Sequence, residues 1–139
     1  MNYETLKSLR VGDRLKTYEC GAISRWVLAM FAGGSGDMNP IHIDLDVAKK
    51  FGMEDVFAHG MLSMAYLGQL LTLHAPQENI RSYKVRFSAI TPVKANVRCT
   101  GEILERFEED GEQRVRIGLK TLIDDDTVTL DGEAVIALP

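Results

Sequence analysis

One segment restricts this chain more than any other. From Met61 to Leu73 the apolar residues Met61, Leu62, Met64, Ala65, Leu67, Leu70, Leu71 and Leu73 go right round a helix rather than along one stripe. Such a helix expects burial on every side. The chain beyond it reads entirely as strand. Tyr83, Val85, Phe87 and Ala89 alternate with Lys84, Arg86 and Ser88 up to a turn at Thr91-Pro92. Val97, Cys99, Gly101 and Ile103 share a face of the next strand, and Val115, Ile117, Leu119 and Thr121 share a face of the one after. Asp110-Gly111 is a strong hairpin signal between them. A last strand from Thr127 to Leu138 comes after a turn at Asp124 to Asp126. The simplest assembly is α+β, with a curved antiparallel sheet wrapped around the long central helix.

The first half is less regular. A short strand is expected around Asp13 to Glu19. Ser24 then offers an N-cap to a helix through Trp26, Leu28, Met30 and Phe31, ended by Gly33-Gly34. The loop Gly34 to Asp44, GSGDMNPIHID, leads to a short helical turn capped by Asp44 or Asp46 and stopped by Gly52. No repeat or linker interrupts the 139 residues, so residues 1–139 read as one domain. Such a sheet leaves edges open, which makes pairing with a second copy a reasonable expectation.

Charge and composition remove several functions. With 16 Lys and Arg against 20 Asp and Glu the net charge is -4, and no basic block exists to hold nucleic acid. The longest uncharged stretch, Val56 to Gln77, carries His59, Gly60, Ser63, Gly68, Gln69 and Pro76, which argues against membrane residence. No apolar run succeeds a basic start in MNYETLKSLR, so a cytoplasmic location is expected rather than secretion. Cys20 and Cys99 form no CxxC pair and read as reduced thiols. The spacing of His42, His59 and His74 matches no familiar metal pattern, and no nucleotide loop or serine elbow is present. The expectation is a protein that works without metal.

Two places offer chemistry. Asp37 and His42 flank Met38-Asn39-Pro40-Ile41, a stretch able to fold back and hold a carboxylate beside an imidazole. Such a pair moves protons near neutral pH; equally, Asp37 could cap a turn while His42 bonds a carbonyl. Gly60 opens the buried helix, where unpaired amides favour a developing negative oxygen. Alternatively, Gly60 only relieves crowding between helix and sheet. His59 reads as a partly buried histidine satisfied locally, and His74 as a partner of the helix end.

From Phe31 to Ala48, FAGGSGDMNPIHIDLDVA resembles the hydratase-2 motif of MaoC-like (R)-specific enoyl-CoA hydratases and (3R)-hydroxyacyl-ACP dehydratases. The resemblance continues through AHGMLSMAYLG, YKVRFSAITPV and GEAVIALP, and is greatest to the short members with a single hot-dog domain. It implies the hot-dog fold and reversible addition of water to a trans-2-enoyl-CoA or enoyl-ACP, giving a (3R)-3-hydroxyacyl thioester without metal or organic cofactor. It assigns Asp37 and His42 as the catalytic pair, Gly60 as the amide that polarises the thioester carbonyl, and Asn39 as an organiser of the site. It also implies a homodimer, or a heterodimer with a related subunit. One departure is Gly68, which stands where some polyhydroxyalkanoate-linked relatives carry a serine. Competing expectations are a hot-dog acyl-CoA thioesterase and a non-catalytic partner subunit of a related dehydratase.

Overall fold

The computed structural model describes residues 3–139. In chain order the elements are α1 (Tyr3–Ser8), β1 (Tyr18–Ala22), α2 (Arg25–Ser35), α3 (Leu45–Lys50), α4 (Gly60–His74), β2 (Ile80–Phe87), β3 (Asn96–Glu109), β4 (Glu112–Leu122) and β5 (Val128–Leu138). Short 3-10 turns lie at Pro40–His42 and Gln77–Asn79. The strands form one antiparallel sheet in the order β1-β3-β4-β5-β2. Its alternation is the one expected: Val97, Cys99, Gly101 and Ile103 of β3 and Val115, Ile117, Leu119 and Thr121 of β4 all face inward and are buried. Asp110 and Gly111 take φ of 53° and 74°, the two positive values that a tight hairpin between β3 and β4 needs. Register slips between Glu19 and Gly21, Ile80 and Ser82, Ile103 and Glu105, and Thr121 and Leu122. Bulges of this kind bend strands and raise their twist, which curves the sheet around α4.

The core has two parts. Between sheet and helix, Leu67, Leu70 and Leu71 of α4 meet Ile103, Ile117, Leu130 and Ile136, all at 0–1% exposure. Each such side chain contributes about 1.5–3 kcal/mol by leaving water. Beyond one end of α4 a second cluster joins Leu28 of α2, Ala48 of α3, Val56, Ala58 and Leu62 to Val93 and Val97. This second cluster fixes the loops that carry the candidate site.

Several expectations need correction. α4 is not covered all round: Met61 and Leu73 are more than half exposed, and with Ala65, Gln69 and Thr72 they leave a bare strip along the helix. Gly33-Gly34 does not end α2, which runs on to Ser35 and closes at Gly36, whose φ of 78° suits a glycine. The first strand begins at Tyr18, not Asp13; the earlier stretch contributes only a single bridge from Arg14 to Glu102. α1 has no counterpart among the expected elements. Its last carbonyls are held by Arg106 of β3, whose guanidinium donates to Leu6, Lys7 and Leu9, while Leu6 is buried against α4 and the sheet. Among the described residues no helix is long and apolar enough to cross a membrane.

Candidate active site

The site is built at the junction of α2, the Pro40 turn and the start of α4. Ser24 caps α2 by accepting from Val27 N at 3.1 Å. At the other end, Gly36 donates its N–H to Ala32 O at 3.0 Å and turns the chain away from the helix axis. Asp37 therefore leaves α2 at a fixed angle, its N–H held by Ser35 Oγ at 3.1 Å. Asn39 then starts the next turn: its Oδ1 accepts from Ile41 N at 3.2 Å, and Pro40 fills the first position, where no N–H is needed. His42 closes that turn facing inward. Asp44, rather than Asp46, caps α3 through Asp46 N and Val47 N.

His42 is largely buried, and its Nδ1–H donates to Phe57 O at 2.8 Å. That bond places the proton on Nδ1 and leaves Nε2 with a free lone pair, with no protein partner among the described residues. Phe57 also meets the ring edge-on at 5.0 Å. Asp37 is exposed, and one carboxylate oxygen accepts from Asn39 N at 3.4 Å. The expected carboxylate and imidazole are thus together: one donor atom from each of Asp37, His42 and His59 lies within 4.8 Å of the others.

His59 is the member of this group that sequence reasoning misses. It is 1% exposed, not partly buried. Its Nε2–H donates to the main-chain carbonyl of Asp37 at 3.1 Å, and its ring stacks on His42 with centres 4.0 Å apart and planes tilted by 31°. Phe31 closes the other side edge-on at 5.0 Å. Burial first, and then the neighbouring His42, hold His59 below the ordinary histidine pKa, against a weaker pull from Asp37. Its Nδ1 is buried without a hydrogen-bond partner. The available signal is its place in sequence, immediately before Gly60. His74 also differs from expectation: its Nδ1 is buried without a partner, and burial lowers its pKa.

Sequence spacing suggests that Asp37 and His42 meet but gives no hint that His59 joins them, because His59 returns from the far end of the α3 loop. Closeness is not coordination, however. Imidazole lone pairs lie in the ring planes, and planes this nearly stacked meet well beyond the roughly 2.0–2.1 Å at which histidine nitrogen binds a metal such as zinc.

Gly60 is the first residue of α4, and His59 gives that helix no side-chain cap, so the leading amides have no partner within the helix. A Cβ at Gly60 would stand 2.7 Å from the Phe87 ring, so crowding is real here as well. A cavity of about 550 Å³ opens beside it, lined by Asp37, Phe57, Gly60, Met61, Phe87, Ile90, Thr91 and Leu130 among others. The cavity unites an acidic group, a free helix start and an apolar wall. A larger hollow of about 860 Å³ lies elsewhere on the sheet among Lys84, Arg86, Glu102, Lys120 and Asp131, none of which belongs to this group. Gly68, at mid-α4, has only Tyr83 near a hypothetical Cβ, at 3.9 Å.

Known proteins resemble this chain in sequence and fold. A family model described as a MaoC like domain matches residues 8–124. The mitochondrial 3-hydroxyacyl-[acyl-carrier-protein] dehydratase of Arabidopsis thaliana is 27% identical over 132 residues, covering 94% of this chain and 78% of that protein. An R-hydratase from Pseudomonas aeruginosa superposes with a TM-score of 0.82 at 28% identity, over 99% of this chain and 85% of that one. An (R)-hydratase from A. caviae involved in PHA biosynthesis does so with a TM-score of 0.83 at 25% identity, over 96% and 99%.

Proposed function

The chain belongs to the MaoC-like domain family and has its hot-dog fold, and on that premise we propose that it is a hydro-lyase that adds water reversibly to trans-2-enoyl thioesters, giving (3R)-3-hydroxyacyl thioesters. The observation that carries this reading is the placement of Asp37 and the Gly60 helix start on one cavity, with the His42 and His59 imidazoles grouped at Asp37.

In the proposed reaction a water molecule sits between Asp37 and His42. Asp37 accepts one of its hydrogens in a hydrogen bond, and His42 Nε2 accepts the other as the water oxygen bonds to C3. The double-bond electrons move toward the thioester oxygen, where the Gly60 amide stabilises the developing charge. His42 returns its proton to C2 from the side of water attack, so hydrogen and hydroxyl add syn and the enzyme is regenerated. The apolar wall of Phe87, Ile90 and Leu130 receives the acyl chain. Asn39 acts at one remove, because its side chain caps the turn that presents His42. His59 positions Asp37 through the carbonyl bond.

The carrier of the acyl group is CoA or acyl carrier protein, and the location is the cytoplasm, which fits the free thiols of Cys20 and Cys99 in this structure. The assembly is a homodimer: β2 is an edge strand, and it lies against α4 at the Tyr83 hydroxyl, which donates to Met64 O at 2.5 Å. That edge and the bare strip of α4 are the two surfaces offered to a second copy. The test is hydration of crotonyl-CoA by the purified protein beside Asp37→Asn and His42→Ala. Activity confined to the unaltered protein supports the assignment, and equal activity in folded variants refutes it.

A further inference from the structure

Cys20 and Cys99 are the two cysteines of the chain, and neither belongs to the candidate active site. They lie 79 positions apart in sequence, yet their sulfurs are 3.7 Å apart. Cys99 projects inward from β3 and is fully buried, whereas Cys20 is half-buried on β1. β1 is the edge of the sheet, and Cys20 sits in its bulge, between Glu19 and a Gly21 with φ of 77°. Edge position and bulge give Cys20 freedom that a central, regularly paired residue lacks. One cysteine is therefore partly accessible on a strand free to adjust, while the other lies in the core beside it.

The hydrogen bonds give the pair a direction. Cys20 lies 3.7 Å from Tyr18 O, to which its S–H donates, and this leaves its sulfur to accept from Cys99. Donation from Cys99 lowers the pKa of Cys20 and raises that of Cys99, which burial raises further. Nucleophilic attack on an outside disulfide thus starts at Cys20, the half-buried member, rather than at the fully buried Cys99.

We propose that Cys20 and Cys99 are a reversible redox modification site, closed to an intramolecular disulfide by low-molecular-weight disulfides of the glutathione type. Cys20 thiolate attacks one sulfur of the small disulfide, breaking its S–S bond, releasing one small thiol and leaving a mixed disulfide on Cys20. Cys99 then gives up its proton and attacks Cys20 Sγ, expelling the second small thiol. Two protein thiols are oxidised by two electrons, and one small disulfide is reduced to two thiols. Closing the sulfurs to the roughly 2.0 Å of a disulfide needs side-chain rotation and a small inward shift of β1. The bond ties the edge strand to the core at a special place: Cys20 and Tyr66 pack against both core clusters. It also closes a long loop, which restricts the unfolded chain more than a short one does.

The native protein is incubated with oxidised glutathione, without denaturant, then alkylated and analysed as intact mass and as proteolytic peptides. The expected result is loss of two hydrogen masses, a peptide linking Cys20 to Cys99, and reversal by dithiothreitol. Cys99→Ala is expected to retain glutathione on Cys20, and Cys20→Ser to acquire none, since Cys99 is inaccessible. A glutathione adduct that persists on the unaltered protein, a cross-link between two chains, or two thiols that remain free to alkylate overturns the proposal. The peptide map of the unaltered protein decides the matter even where a variant fails to fold, and it is independent of catalytic activity.

Discussion

His42 and His59 stack with ring centres 4.0 Å apart, and each is tied to the backbone of the other's neighbourhood, His42 to Phe57 O and His59 to Asp37 O. Phe57 lies just ahead of His59, and Asp37 just ahead of the His42 turn. The two imidazoles thereby lock the two chain segments together at the point where Asp37 and Gly60 meet the cavity. Only one of them is free to act outward, because His59 is buried and spends its N–H on Asp37.

His59→Phe keeps the bulk but strips the donor, leaving the Asp37 carbonyl unpaired at a cost of about 1–3 kcal/mol. Carried into the transition state, that is a loss of kcat of about 10- to 100-fold with KM little changed. His59→Gln retains a donor and restores part of the rate. Equal losses in both variants, measured by steady-state kinetics, contradict the positioning role.

Acid should weaken the fold through the same residue. Burial lowers the pKa of His59 and His74 in the folded protein. The unfolded chain, with histidines near the ordinary value of about 6.5, then binds more protons than the native one below that pH. Stability therefore rises with pH through this window, is fully present above about 6.5, and is lost as the pH falls toward the lowered values. Urea midpoints measured from about pH 8 to 5 check this, and His74→Gln should flatten part of the slope. A midpoint that holds level or rises on acidification contradicts it.

Gly60 has two separable duties, packing against Phe87 and offering an amide to substrate. Gly60→Ala drives a methyl into the Phe87 ring and should cost on the order of 1–3 kcal/mol of stability. Adding Phe87→Ala removes the clash. The double variant is expected to lose the clash penalty but to turn over more slowly than Phe87→Ala alone, because the methyl still holds substrate off the amide. Full recovery of that rate reduces Gly60 to a packing residue.

The strands are legible because β3 and β4 have one face against a helix and one away from it, so a period of two is written directly into Val97 to Ile103 and Val115 to Thr121. Local capping is legible for the same reason: Ser24 and Asp44 act on amides two or three residues away. What escapes is long-range. α1 is held by Arg106, about a hundred residues later, and no pattern within Tyr3–Ser8 reports that bond. The bare strip of α4 is hidden because its residues, Met61 and Leu73 among them, are as apolar as the buried ones. Asp37, His42 and Gly60 stand out through their loop and helix-start positions, whereas His59 owes its place to a carbonyl 22 residues away.

Gly68 tests the room along α4. A methyl there reaches only Tyr83, at an ordinary contact distance, and mid-helix glycine costs about 0.8–1.0 kcal/mol relative to alanine. Gly68→Ala should therefore raise stability by up to about 1 kcal/mol, read as a higher urea midpoint. A lower midpoint means that the helix packs more closely on Tyr83, or on a partner, than this arrangement allows.

The most direct measurement is the fate of crotonyl-CoA in deuterated water, tracked by loss of enoyl absorbance and by stereochemical analysis of the product. The proposed mechanism predicts a (3R)-3-hydroxy thioester with deuterium added at C2 syn to the hydroxyl, formed by the unaltered protein and not by folded His42→Ala. Release of free CoA thiol from an intact enoyl group, or a (3S) product, would contradict it.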